Sequence, residues 1–373
     1  MQIVVNTRLL LDGKLDGIGW FSYQSLKRIT RLHPDVHFVF LFDRPFNEKF
    51  IFSDNITPLV VSPPTRHVVL YYYWMQFAVK PLLNKLKPDL FLSPDGLLPL
   101  GAKCRQLPVI HDINFEHYPK DLEFAARNYY RHFFPKFAAQ ATRIATVSEF
   151  SKKDISEKYH ISPDKIDVVY NGIHGYFDVV SNDVKAATKA RYTKGFDYFV
   201  FVGSLHPRKN ILRLIKAFHL FKTETKSNLK LVLAGAIFWG ESEMYELMKK
   251  LELENELIFT GRLANEKLKN IIASAFALTY VPYFEGFGIP VVEAMQCGTP
   301  ILAANTSCLP EIAGDAAIYA NPFDEYEIKN AMLTLYEDSD LRNDLIRKGL
   351  AQKNKYSWDK TAHLLWQSIE RTL

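Results

Sequence analysis

At 373 residues the chain exceeds the size at which a single hydrophobic core keeps growing, so two domains are expected. Its 48% hydrophobic and 23% charged residues are those of a soluble globular protein, and no apolar run approaches the roughly 18 residues of a membrane span. A net charge of +5, carried mostly by the first 180 residues, suits anionic ligands or anionic lipid; without a Lys/Arg run or a nucleic-acid motif, no nucleic-acid partner is expected.

The opening QIVVNTRLL reads as a strand and not as the basic-then-apolar leader of a signal peptide. LDGIGWFS (15–22) leaves that strand and starts a helix, where Gly17 and Gly19 let the chain pass close to a bulky group. Ser22 stands where a dinucleotide fingerprint needs glycine, and no acid ends a second strand at the required distance, so that motif is rejected. HFVFLF, DLFLSP, LPVIHD, RIATVS and IDVVYN continue a strand series spaced by helical patterns. HVVLYYYWMQFAVKPLLNKLK (67–87) and FAARNYYRHFFPKFAAQATR (124–143) mix aromatic and basic residues. They read either as core and acceptor-cleft lining or as a membrane-interface surface. His111 ends a strand beside Asp112, placed to donate to a substrate hydroxyl or stabilise developing charge, or to act as a capped structural residue. Glu116 and His117 repeat no ligand spacing, and Cys104, Cys297 and Cys308 are scattered, so no metal site is expected. That cysteine usage fits a reducing compartment, with cytoplasm the default.

The polar segment 172–195 contains no strand pattern and reads as a linker. YFVFVGSL, LKLVLAG, LIFTG, AFALTYVP and PILAAN form a second strand series. Runs apolar on both faces and separated by helices indicate parallel sheets, whose ligands gather beyond the carboxyl ends of strands. In FVGSLHPRKN (201–210) a strand ends at Gly203, and Arg208 and Lys209 precede an amphipathic helix, a pairing of fork and point charge that suits a diphosphate. Basic residues at a solvated turn would look the same. In EGFGIPVVEAM (285–295) a glycine turn opens a helix, with Pro290 expected at its first position and Glu293 in its first turn. A carboxylate there would repel phosphate, so Glu293 is expected to accept from a ribose diol, with Glu285 free to meet other hydroxyls. DSD (338–340) reads as a helix cap. YSWDKTAHLLWQSIERTL ends the sequence as a helix with an apolar ridge at Ala362, Leu365, Trp366 and Ile369.

Together EGFGIPVVEAM, VGSLHPRKN, ATVSEFSKKDI, VVYNGI, VIHD and YSWDKTA resemble the retaining GT-B glycosyltransferases of glycosyltransferase family 4 over nearly the whole chain. The resemblance implies an α/β fold of two Rossmann-like domains with parallel sheets facing a central cleft. Residues 1–178 would form the acceptor domain, completed by the helix at 357–373, and residues 179–356 the donor domain. It implies that Glu285 contacts the donor sugar and Glu293 the ribose, and that Gly286, Phe287, Gly288 and Ile289 face the sugar and diphosphate. Gly203, Ser204, Arg208, Lys209, Gly17 and Gly19 would surround the diphosphate, Leu263 would pack near the nucleobase, and His111 would lie by the reacting carbon. Many members carry arginine where Ser204 stands, which throws more of the charge onto Arg208 and Lys209. His111, Arg208, Lys209 and Glu285 are the expected catalytic residues.

The implied reaction is metal-independent, retaining hexosyl transfer, mannosyl being the leading form, without a cofactor. The donor would be GDP-mannose or a UDP-hexose, and the acceptor a glycan or lipid-linked saccharide, with possible peripheral membrane contact on the inner face. A nucleotide-sugar 2-epimerase and a non-catalytic nucleotide-sugar binder share the architecture and are the alternatives.

Overall fold

The computed structural model describes residues 1–237 and 241–373, and its chain forms two units. The first comprises Met1–Gly172 with Tyr356–Leu373, the second Ile173–Lys355. The first division falls at the start of the expected linker and not at 178; that segment carries a helix, Asn182–Thr193, capped by the Ser181 side chain.

In the first unit β1 (Gln2–Asn6), β2 (His37–Phe42), β3 (Ile56–Val60), β4 (Leu90–Ser93) and β5 (Arg105–Pro108) form a parallel sheet in the order β3-β2-β1-β4-β5. The parallel pair β6 (Ile144–Thr146) and β7 (Ile166–Val168) follows, reached by a bridge from Val109 to Ala145. Every residue of β4 is buried, as are residues 38–42 of β2, so these runs are apolar because both faces are covered. The closing helix Trp358–Thr372 belongs to this unit. It buries Ala362, Leu365 and Ile369, stacks half-buried Trp366 on His33, and ties Ser368 and Arg371 to Asp167.

The second unit holds β8 (Tyr198–Val202), β9 (Lys230–Ala234), β10 (Leu257–Gly261), β11 (Ala277–Tyr280), β12 (Ile301–Ala304) and β13 (Ile318–Ala320). All pair in parallel, in the order β10-β9-β8-β11-β12-β13. In each sheet the strand order reverses beside the unit's first strand, between β1 and β4 and between β8 and β11. Such a switch point splays the outgoing loops apart and leaves a crevice beyond the carboxyl ends. The segments that leave those four strands carry the polar groups described next.

Candidate functional site

Beyond β8 and β11 the second unit assembles two cations around one carboxylate. Gly203 follows β8 and donates its N–H to Ala234 O at 3.0 Å. Gly235 lies against it so closely that a Cβ there would sit 1.8 Å from Gly203 O. Half-buried Ser204 comes next, and Pro207–Lys209 form a 3-10 turn that ends on Asn210 in a left-handed conformation, φ 63°. Asn210 Nδ2 donates to Val281 O at 3.0 Å and to Pro322 O at 2.6 Å, pinning this turn to the segments after β11 and β13.

Lys209 is buried, with its Nζ on Glu285 Oε1 and, at 2.8 Å, on the Tyr280 hydroxyl. Arg208 Nη1 donates to the same Glu285 oxygen at 3.0 Å and to Phe284 O at 3.3 Å. The Glu285 backbone N–H donates to Ser307 Oγ at 3.3 Å. Burial would push the Glu285 carboxyl up, but Arg208 and Lys209 outweigh it and hold the group below its ordinary range. Glu285 is therefore engaged by both cations and not, as the sequence suggested, free to meet hydroxyls. It is the counter-ion of both cations, and a ligand must share or displace these contacts. The cations in turn do not sit unopposed at a helix start.

Gly286 and Phe287 are buried in the turn, and Gly288 closes it at φ 86°, where a Cβ would also meet Leu309 Cδ2 at 2.6 Å. The helix that follows is Ile289–Gln296, so Ile289 and not Pro290 takes its first position. Glu293 consequently lies in the second turn and not in the first, outside the reach of the helix-end charge. It is buried, and no hydrogen bond ties its carboxyl among the described residues. Burial alone raises its pKa to about 8, so at neutral pH it is held as a carboxylic acid. Leu263 is half-buried in the loop between β10 and the helix Asn265–Ser274. A cavity of about 460 Å³ opens beside Pro207 and Asn210, bordered by Arg213, Met244, Tyr283 and Glu325; none of the sequence-predicted residues lines it.

The first unit places the remaining predicted residues. Gly17 starts the helix Gly17–Leu32, and Asp16 caps it by accepting from Gly19 N at 3.0 Å. Gly19 lies close under Leu9 O, which a Cβ would approach to 3.1 Å. His111 Nε2 lies 2.9 Å from Pro94 O, and its ring sits edge-on to Phe21 with centroids 5.0 Å apart. Since a carbonyl only accepts, Nε2 carries the proton. Burial lowers the pKa of the ring more than the Pro94 carbonyl, Asp112, Asp95 and Asp16 restore it. A neutral imidazole with Nε2–H engaged offers only an acceptor lone pair at Nδ1. The donating role allowed by the sequence is thus corrected to an accepting one. Among the described residues no group of three or more His, Cys, Asp or Glu is arranged to hold a metal.

Sequence reasoning missed Tyr280, Asn210, Gly235 and Ser307. Tyr280 and Asn210 were legible in part, Tyr280 being the polar residue that ends the strand in AFALTYVP and Asn210 the residue that closes FVGSLHPRKN. Gly235 and Ser307 act through contacts with segments 32 and 22 residues away in the chain, which no local pattern records.

Two parallel Rossmann-like units, with polar groups beyond the switch point of each sheet, define a GT-B glycosyltransferase architecture. Residues 15–174 match the model of Glycosyltransferase Family 4 and residues 185–352 that of Glycosyl transferases group 1, and the chain belongs to this family of glycosyltransferases. Similar proteins include the O-antigen chain mannosyltransferase B of Escherichia coli, 29% identical over 74% of this chain and 73% of its own. The O-antigen chain mannosyltransferase RfbU of Salmonella typhimurium is 27% identical over 85% of this chain and 86% of its own. Among solved structures, Anabaena Alr3699/HepE in complex with UDP and glucose superposes with a TM-score of 0.76 at 18% identity, over the full length of both chains. Family membership selects a transferase over the epimerase and the non-catalytic binder.

Proposed function

We propose that the protein transfers a hexose, mannose foremost, from a nucleotide-diphosphate sugar to a hydroxyl of a glycan or lipid-linked saccharide, in the synthesis of a surface polysaccharide or glycoconjugate. The observation that carries this reading is the pair Arg208 and Lys209 held on Glu285 at the switch point of the second unit. The mannosyl assignment is supported by the relatives named O-antigen mannosyltransferases, GDP-mannose being the corresponding donor and a UDP-hexose the alternative.

Arriving diphosphate would take up the charge of Arg208 and Lys209, which releases Glu285 oxygens toward sugar hydroxyls. A neutral Glu293 adds no repulsion near the diphosphate and can both donate to and accept from ribose hydroxyls. In the transfer the bond from the anomeric carbon to the diphosphate breaks and the bond to the acceptor oxygen forms on the same face. A diphosphate oxygen takes the acceptor's proton. Within the first unit, His111 Nδ1 can accept from a different hydroxyl of the acceptor saccharide. Charge gathering on the departing diphosphate is met by preorganised cations in a buried setting, where they act more strongly than in water. The scheme thus needs neither metal nor cofactor. Its test is a thermal-shift screen of nucleotide sugars followed by assay of nucleotide release with and without acceptor glycosides. Stabilisation by one donor and acceptor-dependent release support it; acceptor-independent conversion of the donor would overturn it.

Peripheral contact with an anionic membrane is part of the proposal. Residues 55–88 and 124–148 contain no Asp or Glu but include Arg66, Lys80, Arg127 and Lys136. From these segments Val69, Tyr72, Tyr73, Phe77 and Phe124 are exposed, while Trp74, Phe134 and Phe137 are core. Exposed aromatics among uncompensated cations suit an anionic bilayer surface. Flotation with anionic liposomes at low salt tests this, and absence of binding would refute it. No described helix is long and apolar enough to cross a membrane.

A further inference from the structure

The switch point of the first unit carries an assembly of the same kind as that of the second. Arg8 follows β1 and Asp95 follows β4, and both are buried. Arg8 Nε donates to Asp95 Oδ2, and Nη1 reaches Thr65 Oγ1 at 3.4 Å. Asp95 Oδ1 is fully occupied, accepting from Asn6 Nδ2 at 2.8 Å, Ser93 Oγ at 3.0 Å and Leu97 N at 3.2 Å. The Arg8 guanidinium also lies over the Tyr71 ring, 4.4 Å from its centroid. In the second unit Lys209 bears the same relation to Glu285 and to the Tyr280 ring.

Arg8 Nη2 makes no protein hydrogen bond among the described residues and keeps some contact with solvent. The Tyr129 hydroxyl is buried without a partner, in a residue 8% exposed. Both it and the Tyr130 hydroxyl feel the charges of Arg8 and Asp95. A buried hydroxyl left unpaired is costly, so the Tyr129 hydroxyl, together with an Arg8 donor open to solvent at a switch point, marks a place for ligand atoms. The chemistry of the set names the ligand. Asp95 already balances Arg8, so the cluster has no surplus charge for an anion. Tyr71, Tyr129 and Tyr130 add aromatic faces, with ring centroids 6.2 Å and 5.7 Å apart along the series. Hydroxyl-bonding groups beside aromatic faces suit a neutral sugar ring.

We propose that Arg8, Tyr71, Tyr129 and Tyr130, with Arg8 positioned by Asp95, form the subsite of the first unit that binds a neutral sugar ring of the acceptor. Arg8 Nη2 and the Tyr129 hydroxyl bond its hydroxyls, and a tyrosine ring packs on its face. His111 adjoins this subsite through the chain, since its Nε2–H is held by Pro94, the residue before Asp95. The inference rests on the transferase reading, and it names what recognises the acceptor.

The test uses the full-length protein, with methyl α-D-mannopyranoside, methyl α-D-glucopyranoside and methyl 2-acetamido-2-deoxy-α-D-glucopyranoside as probes. Binding is followed by saturation-transfer NMR and titration calorimetry. At least one glycoside should bind at millimolar concentration. Tyr129→Phe, which removes only an unpaired hydroxyl and so threatens no fold, should weaken it by between about twofold and tenfold, the range of one net hydrogen bond. Arg8→Lys should do the same, and in turnover both variants should raise KM for the acceptor more than they lower kcat. GDP and UDP affinities should stay unchanged, which separates this subsite from the donor site; failure of both nucleotides to bind the wild type would sink the donor reading instead. The subsite is overturned if no glycoside binds, if binding is equal in wild type and both variants, or if inorganic phosphate displaces the glycoside.

Discussion

Replacing Glu293 by glutamine isolates the electrostatic cost of the buried acid. In the folded protein burial lifts this carboxyl to about pKa 8, whereas in the unfolded chain it titrates near 4.5. A raised carboxyl pKa means that the folded state holds a proton the unfolded state has lost. Its contribution to stability is therefore intact below pH 4.5 and is lost as pH rises toward 8. The slope is roughly 1.4 kcal/mol per pH unit, on the order of 5 kcal/mol across the window. Glutamine has the shape of the protonated acid and does not titrate. Whatever its amide costs is constant with pH, so only the pH dependence matters. For a unit of this size the Tm difference between Glu293→Gln and wild type should grow by about 3–6 °C per pH unit between pH 5 and 7.5. Calorimetric melting of the ligand-free proteins across that range measures it. Parallel Tm curves for the two proteins would show that Glu293 is ionised in the folded state and would refute the reasoning.

Three further outcomes follow from the geometry. Lys209→Ala should lower kcat by about 10²–10³, the range for loss of one preorganised charge-stabilising donor. Arg208 still pairs Glu285 in that variant, so circular dichroism should show an intact fold, and wild-type kinetics would remove Lys209 from the mechanism. Gly235→Ala drives a Cβ into Gly203 O and should abolish nucleotide binding or destabilise the second unit by several kcal/mol; a variant that melts and binds like wild type would contradict the packing. Because burial lowers the His111 pKa, any acid limb of kcat/KM that vanishes in His111→Gln should fall below pH 6.5, and such a limb at or above pH 6.5 would contradict the burial argument.

The eleven strand-like runs of the sequence each overlap a strand; most are covered on both faces and so carry a continuous apolar signal, while β10, with one buried residue of five, shows in its apolar composition. The two strands without such a signal, β3 and β13, are the outer strands of their sheets. ITPLV carries Pro58 and IYA spans only three residues, so neither has a run to detect. The candidate donor site was legible where backbone rules fix a motif, as in the glycine turn before Ile289 and the Pro207–Asn210 turn. Charge pairing was not. Arg208 and Lys209 reach Glu285 across 77 and 76 residues of sequence, and spacing alone gave the three groups separate duties. The titration state of Glu293 was equally hidden, because a helix position does not report how deeply a side chain is covered. The Arg8–Asp95 assembly, built across 87 residues, left no local pattern at all.

The central claim is that preorganised cations of the second unit drive retaining, metal-free hexosyl transfer. Its most direct test is one NMR measurement of the glycoside formed from α-linked GDP-mannose or UDP-hexose and a methyl glycoside acceptor in excess EDTA. An α-linked product, formed by wild type and lost in Lys209→Ala, is the predicted result. A β-linked product, or none until a divalent metal is restored, would contradict it.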